Sequence, residues 1–217
     1  MGRFTFASIA VAAAFALSAS AADAQTIGFK LGASMSNVSS AETTFFGDTH
    51  RKTGFVGGGF IRFGFGRIGI QPEILSVTKG FEMESVYYEE NPSVSIEYIA
   101  VPVLLHLPLT YGASFAPYII AGPEFAFDIG CEMSFPDEDY DCDDEALPED
   151  FFSRRSIDIG LSAGGGLAFA MGPGALLLEG RYTWGMTNID DTPDAGEMKN
   201  RSAYFTAGYS IPIGRRY

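Results

Sequence analysis

Apolar residues fall on alternate positions in eight separate stretches of this chain. In the first stretch, Ile27, Phe29, Leu31, Ala33 and Met35 alternate with small or polar residues. A period of two is typical of a β-strand with one apolar face, because successive side chains point to opposite sides of a sheet. The alternation therefore predicts a chain built from strands.

Seven further runs show the same kind of pattern. Six of them have distinct apolar and polar faces, and they lie within residues 55–65, 68–79, 117–128, 157–169, 176–186 and 203–213. The other run, from Ser95 to Leu107, is apolar on both faces apart from Glu97 and His106. The orientation of this run is left open by the sequence.

The connections between the runs alternate between short and long. Short turns are predicted at 66–67, near 111–114 and at 172–174, and long polar loops near 36–52, 81–94, 130–155 and 187–200. This arrangement is typical of outer-membrane barrels, in which about ten tilted residues suffice to span a bilayer. The sequence thus predicts an all-β fold, an eight-stranded antiparallel up-and-down transmembrane β-barrel.

The polar faces of the runs favour a membrane barrel over a soluble one. Burying an unpaired charge is costly, so small and charged residues suit a narrow, wet, ion-paired interior better than a dry soluble core. The Ile, Leu and Phe faces would then contact lipid. The alternative is a soluble lipocalin-like ligand-binding barrel. Gln71 and Lys79 share the polar face of Glu73, and the charges expected inside the barrel are Lys30, Arg62, Glu73, Glu124, Asp128, Asp158, Glu179 and Arg181.

The first residues of the chain form a unit of their own. Arg3 supplies a positive charge, an apolar stretch of roughly 14 residues follows, and the small-residue pattern Ala22-Asp23-Ala24 ends it. This is typical of a secretory signal peptide, whereas a transmembrane anchor needs about 20 apolar residues. We therefore predict a signal peptide at residues 1–24 and a barrel domain at 25–217, with the aromatic Tyr217 closing the last strand.

Five segments spread along the chain carry a family resemblance. They are IQPEILSVTKG (70–80), YIAVPVLLHL (98–107), PYIIAGPEFAF (117–127), DIGLSAGGGLAF (158–169) and EGRYTWGMTNI (179–189). In this order they resemble the PorT-like outer-membrane β-barrel domain family. The resemblance implies an eight-stranded barrel in the outer membrane of a Gram-negative bacterium, and it implies little about function. One departure is that Ile99-Ala100-Val101 precede Pro102 where the family often has a Glu, so the inward role of Glu97 is open.

The third long loop is strongly acidic. Residues 131–150 contain ten Asp or Glu and no Lys or Arg. Five of the acids stand at every second position, a spacing that could supply oxygen ligands to Ca²⁺, but Cys142 replaces the glycine that an EF-hand loop needs. We expect a solvated loop that binds divalent cations loosely rather than a dedicated site, whose candidate ligands would be Asp137, Asp139, Asp141, Asp143 and Glu145.

The two cysteines, Cys131 and Cys142, stand at the start of this loop. An exported chain passes through an oxidising compartment, so we predict a disulfide between them. It would oppose the repulsion between the crowded carboxylates. A cysteine metal site is the less favoured alternative, because no further Cys or His stands nearby.

Charge and composition narrow the function. Asp and Glu outnumber Lys and Arg by 27 to 14, for a net charge of −13, which argues against a nucleic-acid partner. We expect a monomer whose partners are outer-membrane lipid and lipopolysaccharide, the latter bridged through divalent cations. No protein partner is indicated by the sequence.

The sequence contains few candidate catalytic residues. Barrel enzymes commonly pair a His with Ser or Asp, and neither of the two His, His50 and His106, lies in such a motif. We therefore expect no enzyme activity and no cofactor. Side chains just fill a barrel of eight strands. The expected function is a structural or surface-interaction role through the long acidic loops, and the alternative is a narrow porin-like channel.

Overall fold

Nine antiparallel strands form one sheet in the described part of the chain, and this sheet closes on itself. The computed structural model describes residues 24–40, 49–83, 92–110, 114–134, 139–142, 155–188 and 198–213. The strands are β1 (Ala24–Ser40), β2 (Thr49–Phe65), β3 (Ile68–Met83), β4 (Ser93–Pro108), β5 (Phe115–Ser134), β6 (Asp139–Asp141), β7 (Ile157–Met171), β8 (Gly174–Gly185) and β9 (Met198–Pro212).

Eight of these strands close the predicted barrel. Neighbours along the chain pair with each other, β5 pairs with β7, and β1 pairs with β9. The short strand β6 adds to the upper end of β5 outside this ring. The predicted fold class is therefore confirmed, although β6 was not predicted. Among the described residues, no helix is long and apolar enough to cross a membrane.

The strands are longer than the runs of alternation. The first run ends at Met35, but β1 continues to Ser40 and stays paired with β9 up to Met198. The loops predicted near 36–52 and 130–155 were therefore given limits that are too wide, because β1, β2 and β5 extend into them. Apolar alternation marks only the part of a strand that faces lipid, whereas the hydrogen-bonded ladder continues into polar sequence above it.

The two short turns that the structure describes are two-residue hairpins. Gly66 and Gly172 each stand at the first turn position with φ of 60°. Two-residue hairpins need positive φ at this position, and glycine adopts it without strain. Of the third predicted turn, residues 111–113 lie outside the described residues. Short turns mark the periplasmic end of an outer-membrane barrel, so the opposite, long-loop end is extracellular.

Strand β4 presents its even-numbered residues to the interior. Leu104 is fully buried, while Leu105 beside it is 57% exposed. Both faces of this strand are apolar because one packs in the barrel core and the other faces lipid. Glu97 is exposed on the outer face, at the extracellular end of the strand. This answers the question of orientation that the sequence left open, and it places Glu97 outside.

A bulge in β5 reverses the direction of its side chains. Glu97 of β4 pairs with Gly130, but the next residue, Tyr98, pairs with Asp128. The skipped residue, Ile129, is 57% exposed. An extra residue shifts the period of two, and as a result Cys131 turns inward at a position where an unbroken strand would point it outward.

The interior is more apolar than a wet, charged lumen. Toward the extracellular end, buried apolar side chains from most strands pack into one cluster, which includes Leu75, Val77, Phe81, Ile96 and Met133. A second, smaller cluster lies toward the periplasmic end. The charged residues lie between and around these clusters. The barrel is therefore filled by side chains, as expected for eight strands.

Candidate functional site

Four charged side chains meet in the lower half of the interior. Lys30 on β1 donates hydrogen bonds to Glu73 on β3 (Nζ–Oε1 2.7 Å) and to Glu179 on β8 (Nζ–Oε1 2.8 Å). Arg181 on β8 donates to the other oxygen of Glu73 (Nη1–Oε2 3.0 Å). We call these four residues the lower ion cluster. Its bonds cross the lumen between strands that are not neighbours, so they tie opposite walls together.

Arg62 continues this network toward the periplasmic end. Its Nε donates to Gln71 (2.7 Å to Oε1), which donates in turn to Glu73 (Nε2–Oε1 2.6 Å). The hydroxyl of Tyr118 donates to Glu179 (3.1 Å to Oε2). His106 stacks on the ring of Tyr118 with the ring centres 4.6 Å apart.

Glu124 on β5 is the centre of a second network above the first. Its Oε1 accepts from Lys79 (3.3 Å) and from the hydroxyl of Tyr204 (3.1 Å). Its Oε2 accepts from Ser162 (2.9 Å) and from Thr183 (3.2 Å). Donors from four other strands therefore saturate this one carboxylate.

Asp158 and Asp128 lie higher still. Asp158 accepts from Asn200 (2.8 Å) and Thr187 (2.8 Å), and its Oδ2 is 3.5 Å from the Nζ of Lys79. We call Lys79, Glu124 and Asp158 the upper ion cluster. Asp128 is only half-buried, and its Oδ1 accepts from the backbone N–H of Gly130 at the bulge (3.0 Å). Of the eight predicted interior charges, two lie outside the ion clusters: Asp128 beside the bulge, and Arg62, which donates to Gln71.

The described interior is balanced in charge. Lys30, Arg62, Lys79 and Arg181 face four buried carboxylates, those of Glu73, Glu124, Asp158 and Glu179. The predicted list had three cations against five anions because it omitted Lys79, which shares the polar face of Glu73, and because it included the half-buried Asp128. The excess of negative charge was the signal that one inward cation was missing.

The two histidines lie at opposite ends of the barrel. His106 is buried, and its Nε2 has no hydrogen-bond partner there. His50 is exposed at the extracellular end of β2. In the same part of the chain, no group of three or more His, Cys, Asp or Glu is placed to hold a metal ion.

The acidic loop is described only at its start. Asp139 and Asp141 lie in the extended strand β6, whereas Asp137, Asp143 and Glu145 lie outside the described residues. Alternate residues of a strand stand about 6.6 Å apart, so β6 does not wrap around an ion as an EF-hand loop does. The described part of this loop therefore does not have the wrapped form that the spacing suggested.

The predicted disulfide between Cys131 and Cys142 is present and joins β5 to the end of β6, with a Cα–Cα distance of 5.4 Å. Beside it, the exposed carboxylates of Glu132 and Asp141 are directly opposite in the ladder. Like charges in this position repel each other. The disulfide holds the hairpin closed against that repulsion.

Comparisons with known proteins agree with this architecture. The chain is similar to the outer membrane protein OprG from Pseudomonas aeruginosa, with 14% identity, a TM-score of 0.52, and coverage of 88% of this chain and 97% of that one. It is also similar to Neisserial surface protein A (13% identity, TM-score 0.49, 85% and 96% covered) and to the outer membrane protease OmpT from Escherichia coli (11%, 0.41, 88% and 97%). A search of curated protein sequences gives no match.

A family profile covers most of the chain. The profile described as outer membrane protein beta-barrel domain matches residues 21–191. This family is broader than the PorT-like family that the motifs resemble, and the narrower name is not confirmed. The predicted signal peptide at 1–24 stays a prediction, since residues 1–23 lie outside the described residues. With its lipid-facing barrel, the protein is located in the outer membrane of a Gram-negative bacterium, and the chain belongs to the outer membrane protein beta-barrel domain family.

Proposed function

We propose that this protein is a non-catalytic, non-conducting barrel that displays an acidic surface outside the cell and interacts through it. The observation that carries the proposal is the filled interior. Two ion clusters and the extracellular apolar cluster occupy the described lumen, and the strands continue beyond the lipid-facing part into a disulfide-closed hairpin. Such a barrel is suited to hold its loops rigidly rather than to pass solutes.

The acidic loops supply the interaction surface in this proposal. Ten carboxylates between residues 131 and 150 give that loop a dense negative charge. Divalent cations would bind there loosely and bridge the protein to anionic lipopolysaccharide. Titration calorimetry with Ca²⁺ and Mg²⁺ at millimolar concentration tests this step: weak binding that disappears when residues 137–145 carry Asn and Gln for Asp and Glu supports it, and no heat of binding contradicts it.

Conductance tests the closed interior. We expect the purified protein to add no stable current steps to a planar lipid bilayer, with a large open porin as the positive control. The matched variant is Glu124→Gln, which changes the lumen without touching the loops. Stable steps whose size changes in Glu124→Gln would make this chain a narrow channel and would overturn the proposal.

A further inference from the structure

The lipid-facing wall of the barrel contains a notch where three strands meet. Gly165 on β7 pairs with Gly180 on β8, and Gly180 pairs with Phe205 on β9. Both glycines are on the outer face, flanked by Leu167 and Leu178. Over these glycines lies a shallow, open recess of about 570 Å³ with an almost wholly apolar lining. In a bilayer, a recess of this kind is filled by an acyl chain or by another apolar surface.

A positively charged residue, Arg201, lies on the extracellular side of the notch on the same outer face. From the notch toward the extracellular end, the outward-facing cross-strand pairs of β8 and β9 are Gly180 with Phe205, Tyr182 with Ala203, and Trp184 with Arg201. Arg201 therefore lies about 13 Å from Phe205 along β9, given about 3.3 Å per residue. The small Ala203 lies between them, and Lys199 follows two residues beyond Arg201 on the same face.

The edge of the lipid-facing belt passes through this ladder. Below Arg201, the outer face of β8 and β9 carries exposed Phe205 and Tyr182, and exposed Trp184 lies level with Arg201. The rings of Tyr182 and Trp184 pack edge to face. Amphipathic Trp and Tyr rings are typical of the level of the lipid headgroups. Arg201 thus stands where a phosphate of an outer-leaflet lipid lies, and a guanidinium binds phosphate through charge-assisted hydrogen bonds.

We infer that β7, β8 and β9 form a binding site for one lipid A molecule, with an acyl chain in the notch and a phosphate on Arg201. The inference rests on the lipopolysaccharide partnership in the proposed function and gives it a defined location. It differs from that proposal in its chemistry, because the contact is direct. The site therefore needs no divalent cation, whereas bridging through the acidic loops does.

Native mass spectrometry of the detergent-solubilised full-length barrel, titrated with purified lipid A in EDTA, tests the site. We expect one tightly held lipid A, and about tenfold weaker binding in Arg201→Gln and in Gly180→Leu, which corresponds to about 1.4 kcal/mol each. A Cβ at Gly180 would lie 3.8 Å from the ring of Phe205, so the notch accepts a side chain without strain in the wall. Gly180→Val is the second variant if Gly180→Leu does not fold.

Two controls match these changes in kind. Arg67→Gln removes a positive charge at the periplasmic turn, and Gly59→Leu adds the same side chain as Gly180→Leu at an exposed, lipid-facing glycine on β2, a strand that does not adjoin β7, β8 or β9. Both should bind lipid A within twofold of the original protein. Equal binding in all four variants would overturn the site, as would phosphatidylglycerol binding as tightly as lipid A. Lipid A binding that is lost in EDTA would also overturn it while supporting the acidic-loop bridge.

Discussion

At the scale of single residues, each carboxylate of the two ion clusters accepts hydrogen bonds from other parts of the barrel, whereas Nε and Nη2 of Arg181 have no hydrogen-bond partner among the described residues. Glu124 is almost fully buried and accepts hydrogen bonds from Lys79, Tyr204, Ser162 and Thr183. A buried charge is tolerated only when its partners replace the water that it loses. Removing one member of such a network leaves the others unpaired, and the cost falls on the stability of the whole barrel.

Glu124→Ala should therefore be strongly destabilising. Of the described carboxylates it leaves Lys79 only the more distant Asp158, at 3.5 Å, and we expect a loss of about 3–5 kcal/mol in the free energy of unfolding. Urea unfolding in lipid vesicles, followed by Trp184 fluorescence, measures this loss of free energy. The matched control is Glu97→Ala, an exposed glutamate on the adjacent strand β4, which should change stability by about 0.5 kcal/mol or less. Equal losses in the two variants would show that Glu124 is not buried in an ion cluster.

The sequence predicted most of these residues but not their contacts. Period-two alternation separated Lys30 from Phe29 and Glu73 from Ile74, because faces are a local property. The pairing of Lys30 with Glu179 joins residues 149 positions apart and depends on the closure of the barrel. Lys79 could have been included from charge balance. The half-buried place of Asp128 depends on a bulge that the local pattern does not reveal.

At the scale of elements, β4 shows the limit of alternation. A strand between an apolar core and lipid has apolar residues on both faces, and its period of two disappears from the sequence. Register with neighbours then decides the orientation: Tyr98 pairs with Val77 on one side and Asp128 on the other, and Val77 is buried. The sheet as a whole therefore specifies what the strand alone does not.

Adjacent leucines test the orientation of β4. Leu104→Ala removes a fully buried side chain and should cost about 2–5 kcal/mol, because a cavity remains in the core. Leu105→Ala removes a side chain that faces lipid, whose acyl chains can occupy the space, and we expect a cost below about 1 kcal/mol. Urea unfolding in vesicles compares the two variants. A larger loss for Leu105→Ala would show that the odd-numbered residues of β4, and not the even-numbered ones, face the interior.

The hairpin of β5 and β6 depends on its disulfide. Replacing both Cys131 and Cys142 by Ser removes a cross-link across a separation of 11 residues, which should cost the hairpin about 2–3 kcal/mol. Amide hydrogen exchange in residues 131–134 and 139–142 should then be about 30- to 150-fold faster.

The membrane-facing part of β5 is the internal control for this hairpin. Amides at 119–127 should exchange unchanged, since their ladders with β4 and β7 remain. Adding Glu132→Gln should recover part of the protection by removing the like charge opposite Asp141. Unchanged exchange in the double Ser variant would show that the ladder alone holds the hairpin.

At the scale of the whole molecule, the membrane-spanning part of the barrel has its charged groups inside and much of its large apolar surface outside. Exposed Ile, Leu and Phe side chains form a belt on all eight strands, while the described ion clusters lie in the lumen. In water this surface would drive aggregation, and in a bilayer it is solvated by acyl chains. The alternation that predicted the strands therefore also predicted that lipid surrounds the barrel. The charged residues on the polar faces could find partners only in the lumen, which leaves the apolar faces outside.

Quenching of Trp184 tests this assignment most directly, because it is the one tryptophan of the chain and is 40% exposed on the outer face of β8. In vesicles with brominated phospholipids, we predict strong quenching of its fluorescence, greater for bromine near the headgroup end of the acyl chain than for bromine near its middle. Acrylamide in the water should quench it weakly. Strong quenching by acrylamide with none by brominated lipid would contradict the account and would place this apolar face in water.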